Sequence, residues 1–436
     1  MTKAPDSAII TLDARPPLIQ LAALDKDFFP GLLESQSGTG DNARYDILFA
    51  APQQRLIART PAEVRALLAD TDQQPAQTES KQPFEHGWLV YLSYEAASCW
   101  QPKLKQPTKP QVLAAAVYCG GALVFDRHTD KTYICGQDKS VVTAIEQRIN
   151  RVQEVPFRKD TFNFRQVESA QRFQRGIETC QQFIRRGDIY QANLSRRWRY
   201  DSDNEMPCAA SLFARLKKTN PAPFSALFQW HDWAIISSSP ERLFQVKAGE
   251  VSTRPIAGTH PRGHDGRADV LQIKRLVTNE KERAEHIMLV DLERNDIGRV
   301  SVPGSVMVNE LMEVETYPHV HHIVSNVQGR LRFDVMISDV IKALFPGGTI
   351  TGCPKLRCMQ IIADIEQRPR GAYTGSVGYI NHHGQADFNI LIRTLSLQGS
   401  KLQFCAGAGI VHDSHPVRET EETEHKAEGM IRALAS

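Results

Sequence analysis

The sequence predicts an α+β fold. Helical and strand patterns follow one another in irregular order, without the steady strand–helix alternation of parallel α/β sheets. The 436 residues are 41% apolar and 23% charged, which is typical of a globular chain long enough for several domains or one large interlocked unit. The order of the elements therefore sets the fold class, and the composition predicts a substantial core.

Two regions of the chain differ in texture. Residues 69–83 are polar and rich in Pro and Gln, so they predict a loop, and residues 87–95 predict a buried strand. A charged stretch at residues 151–160 separates this part from the rest. We expect one region over residues 1–155 and a second over residues 164–434.

A helix is predicted to begin near Gln166. Phe173, Ile177 and Cys180 recur on one stripe, and Gly187 is a good C-terminal stop. A strand is predicted to follow, because polar and apolar side chains alternate over residues 190–195.

The polar face of this strand carries Gln191, Asn193 and Ser195, and it points either to solvent or into a site. Two more strands are predicted at residues 387–394 and 402–411. In the later one the glycines of CAGAGIV mark either a plain bulge or the close approach of a ligand.

Composition and termini exclude several functional classes. The 52 Lys and Arg against 50 Asp and Glu give a net charge of +2, so no basic field favours nucleic acid. The N-terminus lacks the apolar core of a signal peptide, and the longest apolar run is shorter than the roughly 20 residues that span a bilayer. The eight cysteines form no CxxC pair or Cys/His cluster. We expect a reduced, cytoplasmic protein without a nucleic-acid or membrane partner.

Two pairs of glutamates attract attention as candidate ligands. Glu282 and Glu285 lie on one face of a predicted helix, and Glu419 and Glu422 repeat the spacing one turn before Lys426. Paired carboxylates repel unless a cation or proton lies between them, and Mg²⁺ prefers a few carboxylates with water and ligand oxygens. Acids also suit the first turn of a solvated helix, and spacing alone favours that second explanation.

A glycine-rich loop at residues 345–352 leads into a helix with Pro354 near its first position. Backbone N–H groups at such a helix start bind anions. Gly347 and Gly352 have the spacing of a phosphate loop, but Cys353 and Pro354 follow in place of Lys and Ser or Thr. The loop therefore suits a carboxylate as well as a phosphate.

Nine motifs, taken together and in order, resemble the chorismate-binding enzyme family. That family includes the large subunits of anthranilate synthase and aminodeoxychorismate synthase, and the isochorismate and salicylate synthases. The resemblance is strong over residues 164–434 and looser at LLES and RYDILFAAP near the N-terminus. The nine motifs are GDIYQANLSRR, SSSPERLF, RPIAGTHPRG, KERAEHIMLVDLERNDIGRV, VHHIVS, FPGGTITGCPK, AYTGSVGY, DFNILIRT and AGAGIVHDS.

The resemblance implies the anthranilate synthase component I-like fold. In this fold two antiparallel sheets pack together, helices flank them, and the N-terminal region contributes to both sheets. The active site would lie in a cleft of the C-terminal part.

The resemblance also implies a Mg²⁺ site. Glu285 and Glu422 match the family's ligands, and Glu282 and Glu419 match the supporting acids beside them. The metal would bridge the ring carboxylate of chorismate.

Further residues match the parts of the family that touch chorismate. Arg393 and Tyr373 match the residues that hold the enolpyruvyl carboxylate, and an arginine fork suits that group. The residues that match positions along the ring and its carboxylate are Thr351, Gly352, Gly407, Gly409 and Lys426.

The catalytic residues implied by the resemblance are Glu241 and His322. Glu241 matches the general acid that protonates the departing C4 hydroxyl. His322, the second of two adjacent histidines, matches a histidine near the substrate. Gln191 stands where water-using members carry a lysine base, so the nucleophile is ammonia. Ammonia implies a glutamine amidotransferase subunit as partner.

The resemblance leaves two products. Amination at C4 gives 4-amino-4-deoxychorismate, the precursor of 4-aminobenzoate and folate, and amination at C2 gives anthranilate. C4-aminating members usually carry a nucleophilic lysine in PIKGT, whereas this chain has Ala257 in PIAGT, as anthranilate synthases do. The compact N-terminal region and the RYDILFAAP motif favour C4 amination, which is our prediction.

Two further hypotheses remain. LLES, with Glu34 and Ser35, resembles part of a tryptophan pocket, so tryptophan binding is a possible second property or the sole function of an inactive relative. A water-using isochorismate or salicylate synthase is opposed by Gln191.

Overall fold

The computed structural model describes residues 8–37, 43–77, 80–105, 112–153, 156–157, 162–201, 207–317 and 320–435. Within these ranges helices and strands alternate irregularly, which confirms the α+β prediction. The helices are α1 (Leu18–Leu24), α2 (Pro61–Asp70), α3 (Lys139–Ile149), α4 (Ala170–Arg185), α5 (Ala209–Thr219), α6 (Gly266–Thr278), α7 (Glu280–Gly298), α8 (Ile337–Leu344), α9 (Lys355–Glu366) and α10 (Pro416–Ala435), with a 3₁₀ helix at Tyr94–Cys99.

The strands join into one continuous antiparallel sheet. They are β1 (Ala8–Leu12), β2 (Gly31–Glu34), β3 (Tyr45–Ala58), β4 (Gly87–Leu92), β5 (Ala114–Asp126), β6 (Lys131–Gly136), β7 (Arg165–Gln166), β8 (Gln191–Asp201), β9 (Phe224–Gln229), β10 (Trp233–Ser239), β11 (Arg242–Lys247), β12 (Glu250–Thr253), β13 (Ile256–Pro261), β14 (Met307–Thr316), β15 (Val320–Arg330), β16 (Gly352–Cys353), β17 (Ser376–Asn381), β18 (Ala386–Asn389), β19 (Thr394–Gln398) and β20 (Lys401–Ile410).

The sheet divides into two arms at β5, which pairs with β3 along one edge and with β4 and β6 along the other. From β3 the first arm continues through β2, β9, β10, β19, β20 and β8. From β4 the second arm continues through β17, β18, β11, β12 and β15, and β13 and β14 both pair with β15. Strands of the N-terminal region therefore begin both arms.

The two arms pack face to face. Their shared core includes Leu89 and Val377 from the second arm and Phe228 and Ile235 from the first. A second cluster joins the first arm to α1, α3, α5 and α10, and a third joins the second arm to α2, α8 and α9. The structure thus has the packed antiparallel sheets and outer helices that the resemblance implied.

The predicted helix after Gln166 is α4. Ser169 caps its first turn by accepting a hydrogen bond from the Arg172 N–H. The predicted stripe of Phe173, Ile177 and Cys180 is buried, and Gly187 follows the helix with φ +77°. The prediction is confirmed, with the start shifted by the serine cap.

The polar face of β8 points inward, so the solvent-facing alternative is wrong. Gln191 and Ser195 are buried, whereas Tyr190, which precedes the strand, is 68% exposed. The Gln191 amide donates a hydrogen bond to Glu285, and the Ser195 hydroxyl donates one to Glu366.

The predicted single strand over residues 387–394 is also wrong. β18 belongs to the second arm and β19 to the first, so the chain crosses between the arms at residues 390–393. Arg393 has φ +51°, and Ile390 donates its N–H to the carbonyl of Glu241 instead of continuing the ladder. The strand pattern of the side chains conceals this crossing.

None of the helices in the described ranges is both long and apolar enough to cross a bilayer.

The core between the arms gives a stability prediction. Leu89 is fully buried in that core, so Leu89→Ala leaves a cavity and is expected to lower the free energy of unfolding by about 3 kcal/mol. Leu24→Ala is the matched control, because Leu24 is 56% exposed on α1. Urea titrations followed by circular dichroism measure both. Equal effects of the two substitutions would contradict the proposed position of the core.

Candidate active site

The pairing of β8 with β20 forms the floor of the candidate site. The ladder sets Gly409 opposite Asn193 without a register shift, so the glycines do not mark a bulge. A Cβ at Gly407 would lie 2.4 Å from the Tyr373 hydroxyl, and one at Gly409 would lie 2.6 Å from Nε2 of Gln191. The two glycines are there because side chains from neighbouring elements approach the strand closely.

The first glutamate pair, on α7, reaches this floor. Gln191 donates from Nε2 to Oε1 of Glu285 at 2.8 Å. Burial raises the pKa of Glu285; the Gln191 hydrogen bond lowers it, and the charges of Glu282 and Glu422 raise it further. The carboxylates of α7 and α10 therefore act on one another across the cleft, as a shared cation site requires.

The second pair, on α10, is tied to the same floor by Lys426. Its ammonium donates to Oε1 of Glu422 at 2.6 Å and to the carbonyl of Gly407 at 3.0 Å. Burial raises the pKa of Glu419, and the Glu422 charge raises it further. Lys281, at the start of α7, acts electrostatically on both Glu285 and Glu419, so two ammonium groups partly offset the four acids.

The donor set fits a hard divalent cation. In the described part of the chain no three His, Cys, Asp or Glu side chains lie close enough to hold a metal by themselves. Oε2 of Glu282 is buried and has no hydrogen-bond partner among the described residues, and carboxylates such as Glu282 and Glu285 are ligands that Mg²⁺ prefers. A cation held here would take its remaining ligands from water and from a bound molecule.

Glu241 is almost fully buried between β10 and β11. Burial raises its pKa to about 8; the Thr349 hydroxyl and the Ile256 N–H lower it, and the charge of Glu293 raises it. Its backbone carbonyl accepts from the Ile390 N–H at 3.0 Å, in the segment that crosses between the arms. The carboxyl is protonated at neutral pH, which is the state that a general acid needs.

His322 lies beside Arg393. Its Nδ1 is 3.4 Å from the carbonyl of Gly258, and burial lowers its pKa to about 4, with the charge of Arg393 lowering it further. The imidazole is therefore neutral. His321, the preceding residue on β15, instead pairs with Asp269 at 2.9 Å.

The guanidinium of Arg393 is desolvated. Burial lowers its pKa, and Nη1 donates to Oδ1 of Asn220 at 3.3 Å. A cation so placed gains from an anionic partner, because little water is available to solvate it.

The glycine-rich loop packs against β8. Gly352 pairs with Ala192 and has φ +132°, and a Cβ there would lie 2.0 Å from the carbonyl of Gln191. The Thr351 hydroxyl donates to the carbonyl of Gly347. The N–H groups of residues 351 and 352 both donate to the carbonyl of Gly348. Hydrogen bonds within the loop therefore fix its conformation, and its backbone lies against Gln191.

Ala257 lies on β13 and is buried opposite Ile323. A register shift follows it at Gly258, where a Cβ would lie 2.8 Å from Oε2 of Glu282. Position 257 is thus close to Glu282, and the alanine side chain offers no nucleophile.

Several residues of the site were not predicted. His260 approaches Oε1 of Glu282 at 3.3 Å, and Oδ1 of Asn193 is buried without a partner among the described residues. Asn193 lies on the polar strand face that the sequence predicts. Thr349 and Glu293 gave no signal in the sequence, because only the folded loop and helix bring them to Glu241.

Glu34 and Ser35 line a different pocket, of about 300 Å³. Glu34 accepts a hydrogen bond from the Lys217 ammonium at 2.9 Å, and the Ser35 N–H donates to Oδ1 of Asp46 at 3.0 Å. Tryptophan binding in this pocket stays a prediction.

The model of the family described as chorismate binding enzyme matches residues 31–432. The chain is 47% identical over 262 residues to aminodeoxychorismate synthase component 1 of Bacillus subtilis, covering 60% of this chain and 55% of that relative. It is 36% identical over 416 residues to anthranilate synthase component 1 of Saccharolobus solfataricus, covering 94% and 95%. The fold superposes on anthranilate synthase component I from Streptococcus pneumoniae with a TM-score of 0.78 and 30% identity, covering 90% and 93%.

The glycine floor can be tested without a ligand. Gly407→Ala places a methyl group against Tyr373 and Asn193, so the strands must shift, and we expect a loss of about 2 kcal/mol of stability. Gly429→Ala on α10 is the control, because its Cβ meets nothing within 4 Å and alanine favours a helix by about 1 kcal/mol. Thermal unfolding should show opposite shifts for the two variants. A neutral Gly407→Ala would mean that the ladder is not closely packed.

Proposed function

The chain belongs to the chorismate binding enzyme family, and on that premise we propose that it aminates chorismate at C4 with ammonia, giving 4-amino-4-deoxychorismate. The observation that carries the proposal is the amide of Gln191. Its Nε2 is committed to Glu285, and its Oε1 is buried with no partner in the described part of the chain. An amide cannot deprotonate water, but a free carbonyl oxygen accepts a hydrogen bond from ammonia.

Chorismate carries two carboxylates, and the site offers partners for both. Arg393 would pair with the enolpyruvyl carboxylate, with the Tyr373 hydroxyl beside it at the Gly407 floor. Because the imidazole of His322 is neutral, Arg393 alone of these two residues carries a positive charge.

The leaving group is the C4 hydroxyl, which departs poorly as hydroxide. Glu241 would donate its proton to that oxygen while the C4–O bond breaks, and water leaves. The ammonia nitrogen forms the new C–N bond and loses a proton. A buried carboxyl with a pKa of about 8 still holds its proton at neutral pH, so the acid is ready when substrate binds.

Glu285 and Glu422 would hold Mg²⁺, with Glu282 and Glu419 in support. When bound, the ion would supply charge neutralisation for the ring carboxylate. The residues present need such a partner, because four carboxylates share the cleft with only Lys281 and Lys426 as nearby counter-charges.

The ammonia would come from a glutamine amidotransferase subunit. The relatives named component 1 support this, since that name belongs to one part of a two-part enzyme. Free ammonium should replace the partner in vitro.

Anthranilate synthesis is the second candidate product, and a specific residue favours it. Ala257 cannot form the covalent adduct that a lysine there would form, so C4 amination requires ammonia to attack the ring directly or another nucleophile to serve. The relatives carry both names, and the relative with 47% identity is named aminodeoxychorismate synthase. That identity supports C4.

The product can be identified directly. The purified chain is incubated with chorismate, Mg²⁺ and ammonium at mildly alkaline pH, with an aminodeoxychorismate lyase as coupling enzyme. We expect 4-aminobenzoate, because C4 amination gives the lyase its substrate. Fluorescent anthranilate would overturn the product assignment, and turnover without any ammonia source would revive the water-using hypothesis.

The metal site has its own test. Glu422→Gln should weaken Mg²⁺ binding and turnover by roughly 100-fold, because it removes a ligand charge. Glu421→Gln is the matched control, since Glu421 is an exposed neighbour on the same helix. Isothermal titration calorimetry with Mg²⁺ reads binding separately from activity. Unchanged Mg²⁺ affinity in Glu422→Gln would remove Glu422 from the ligand set.

A further inference from the structure

An open groove of about 780 Å³ runs between α7 and the start of α9. Most of its lining is apolar, but Asp296 and Lys355 also contribute to it. Asp296 is only 3% exposed, and the Lys355 ammonium lies 2.5 Å from its Oδ2. The Asp296–Lys355 ion pair therefore extends from the groove to the buried side of α7.

Glu293 lies behind this pair. It precedes Asp296 by three residues on α7, so the two side chains share one face of the helix. Glu293 is 4% exposed, and its Oε1 accepts from the Gly348 N–H at 3.2 Å. Glu293 lies two helical turns beyond Glu285 on α7, so it is not part of the proposed metal site.

Glu293 and Glu241 are neighbours. The Glu293 carboxyl accepts from the Gly348 N–H, and Thr349, the next residue in the loop, is among the groups that act on the Glu241 carboxyl. The charge of Glu293 acts on Glu241, and the charges of Lys355 and Asp296 act on Glu293. Ionisable groups therefore form a continuous series from the general acid to the groove.

The chemistry gives this series a use. Glu241 loses its proton to the departing hydroxyl in each turnover and must regain one before the next. It is 5% exposed, so direct exchange with solvent is restricted. Burial raises the pKa of Glu293 to about 7, with Lys355 lowering it and Asp296 raising it, so this carboxyl can both gain and lose a proton near neutral pH.

We propose that Glu293 returns a proton to Glu241 after each turnover and is itself reprotonated from water in the groove, past Asp296 and Lys355. The proton leaves the Glu293 carboxyl and binds the Glu241 carboxylate, and Glu293 then takes up one proton from the water of the groove. The ammonia nitrogen releases one proton to solvent in the same turnover, so the protons balance and no other reactant is needed. Glu293 touches no substrate and acts through Glu241. This inference rests on the proposed amination.

The test compares two variants that separate proton transfer from packing. Glu293→Gln keeps the size of the side chain and can accept from Gly348, but it cannot carry a proton. Glu293→Asp is shorter and leaves a gap, but it keeps the ionisable carboxyl. We expect kcat to fall about tenfold or more in Glu293→Gln and less in Glu293→Asp, with KM for chorismate unchanged in both.

Two further measurements are made on the same proteins with chorismate, Mg²⁺ and ammonium. The solvent deuterium isotope effect on kcat should rise in Glu293→Gln, because proton return becomes rate-limiting. The alkaline fall in rate should also move to lower pH, since removing the Glu293 charge lowers the pKa of Glu241. Asp291→Asn is the control and should match wild type, because Asp291 lines the same groove but pairs with Arg294 at the surface.

A structural role for Glu293 predicts the reverse order, with Gln more active than Asp and the isotope effect unchanged, and that result would overturn the relay. If Glu293→Gln does not fold, Asp296→Asn replaces it: a lower kcat with a raised isotope effect supports the relay, and wild-type values overturn it. The proposed function fails separately, because wild-type protein would then form no aminated product.

Discussion

A buried ion pair between Glu366 and Arg370 fixes the strand on which the site depends. Oε1 of Glu366 accepts from the N–H and the hydroxyl of Ser195, and Arg370 pairs with the same oxygen at 2.7 Å and donates to the carbonyl of Asn193. These bonds satisfy β8 where strand pairing ends. A pair this deeply buried gains little net energy, but losing one partner would leave an uncompensated charge. The polar face of β8 is thereby held toward the cleft.

The cleft concentrates charge that the fold alone does not neutralise. Burial raises the pKa of Glu241, Glu285 and Glu419, which shows that their ionised forms are destabilised in the absence of a ligand. The same burial suits two different roles. For Glu241 it preserves a proton that can be given away. For Glu285 on α7 and Glu419 on α10 it favours a nearby positive charge, which the proposed Mg²⁺ would supply.

The sequence predicted the individual helices and strands better than it predicted which of them come into contact. Local patterns were sufficient for the helix α4 and the strand β8, because caps and periodicity are properties of neighbouring residues. They left the glycines of β20 open between a bulge and a close approach. The break before Arg393 was missed because the side-chain alternation continues while the backbone changes sheet. Glu293 gave no signal, because its importance depends on the Gly348 loop, 55 residues away in the chain. The roles of the glutamates came from ordered resemblance, since their spacing alone favoured a solvated surface.

Under the proposed function, the product therefore depends on which ring carbon, C2 or C4, the ammonia attacks. With Ala257 there is no lysine at this position to attack the ring first, so a covalent step would need another nucleophile. Gln191 is fixed in place, because its amide is oriented by its bond to Glu285 and its oxygen is open to a donor. Glu241 lies between the two arms, on the link from β10 to β11 and beside the crossing segment. Under the proposed function, the product would follow from which ring carbon lies between Gln191 and Glu241, and the packing of the two arms sets the separation of these two groups.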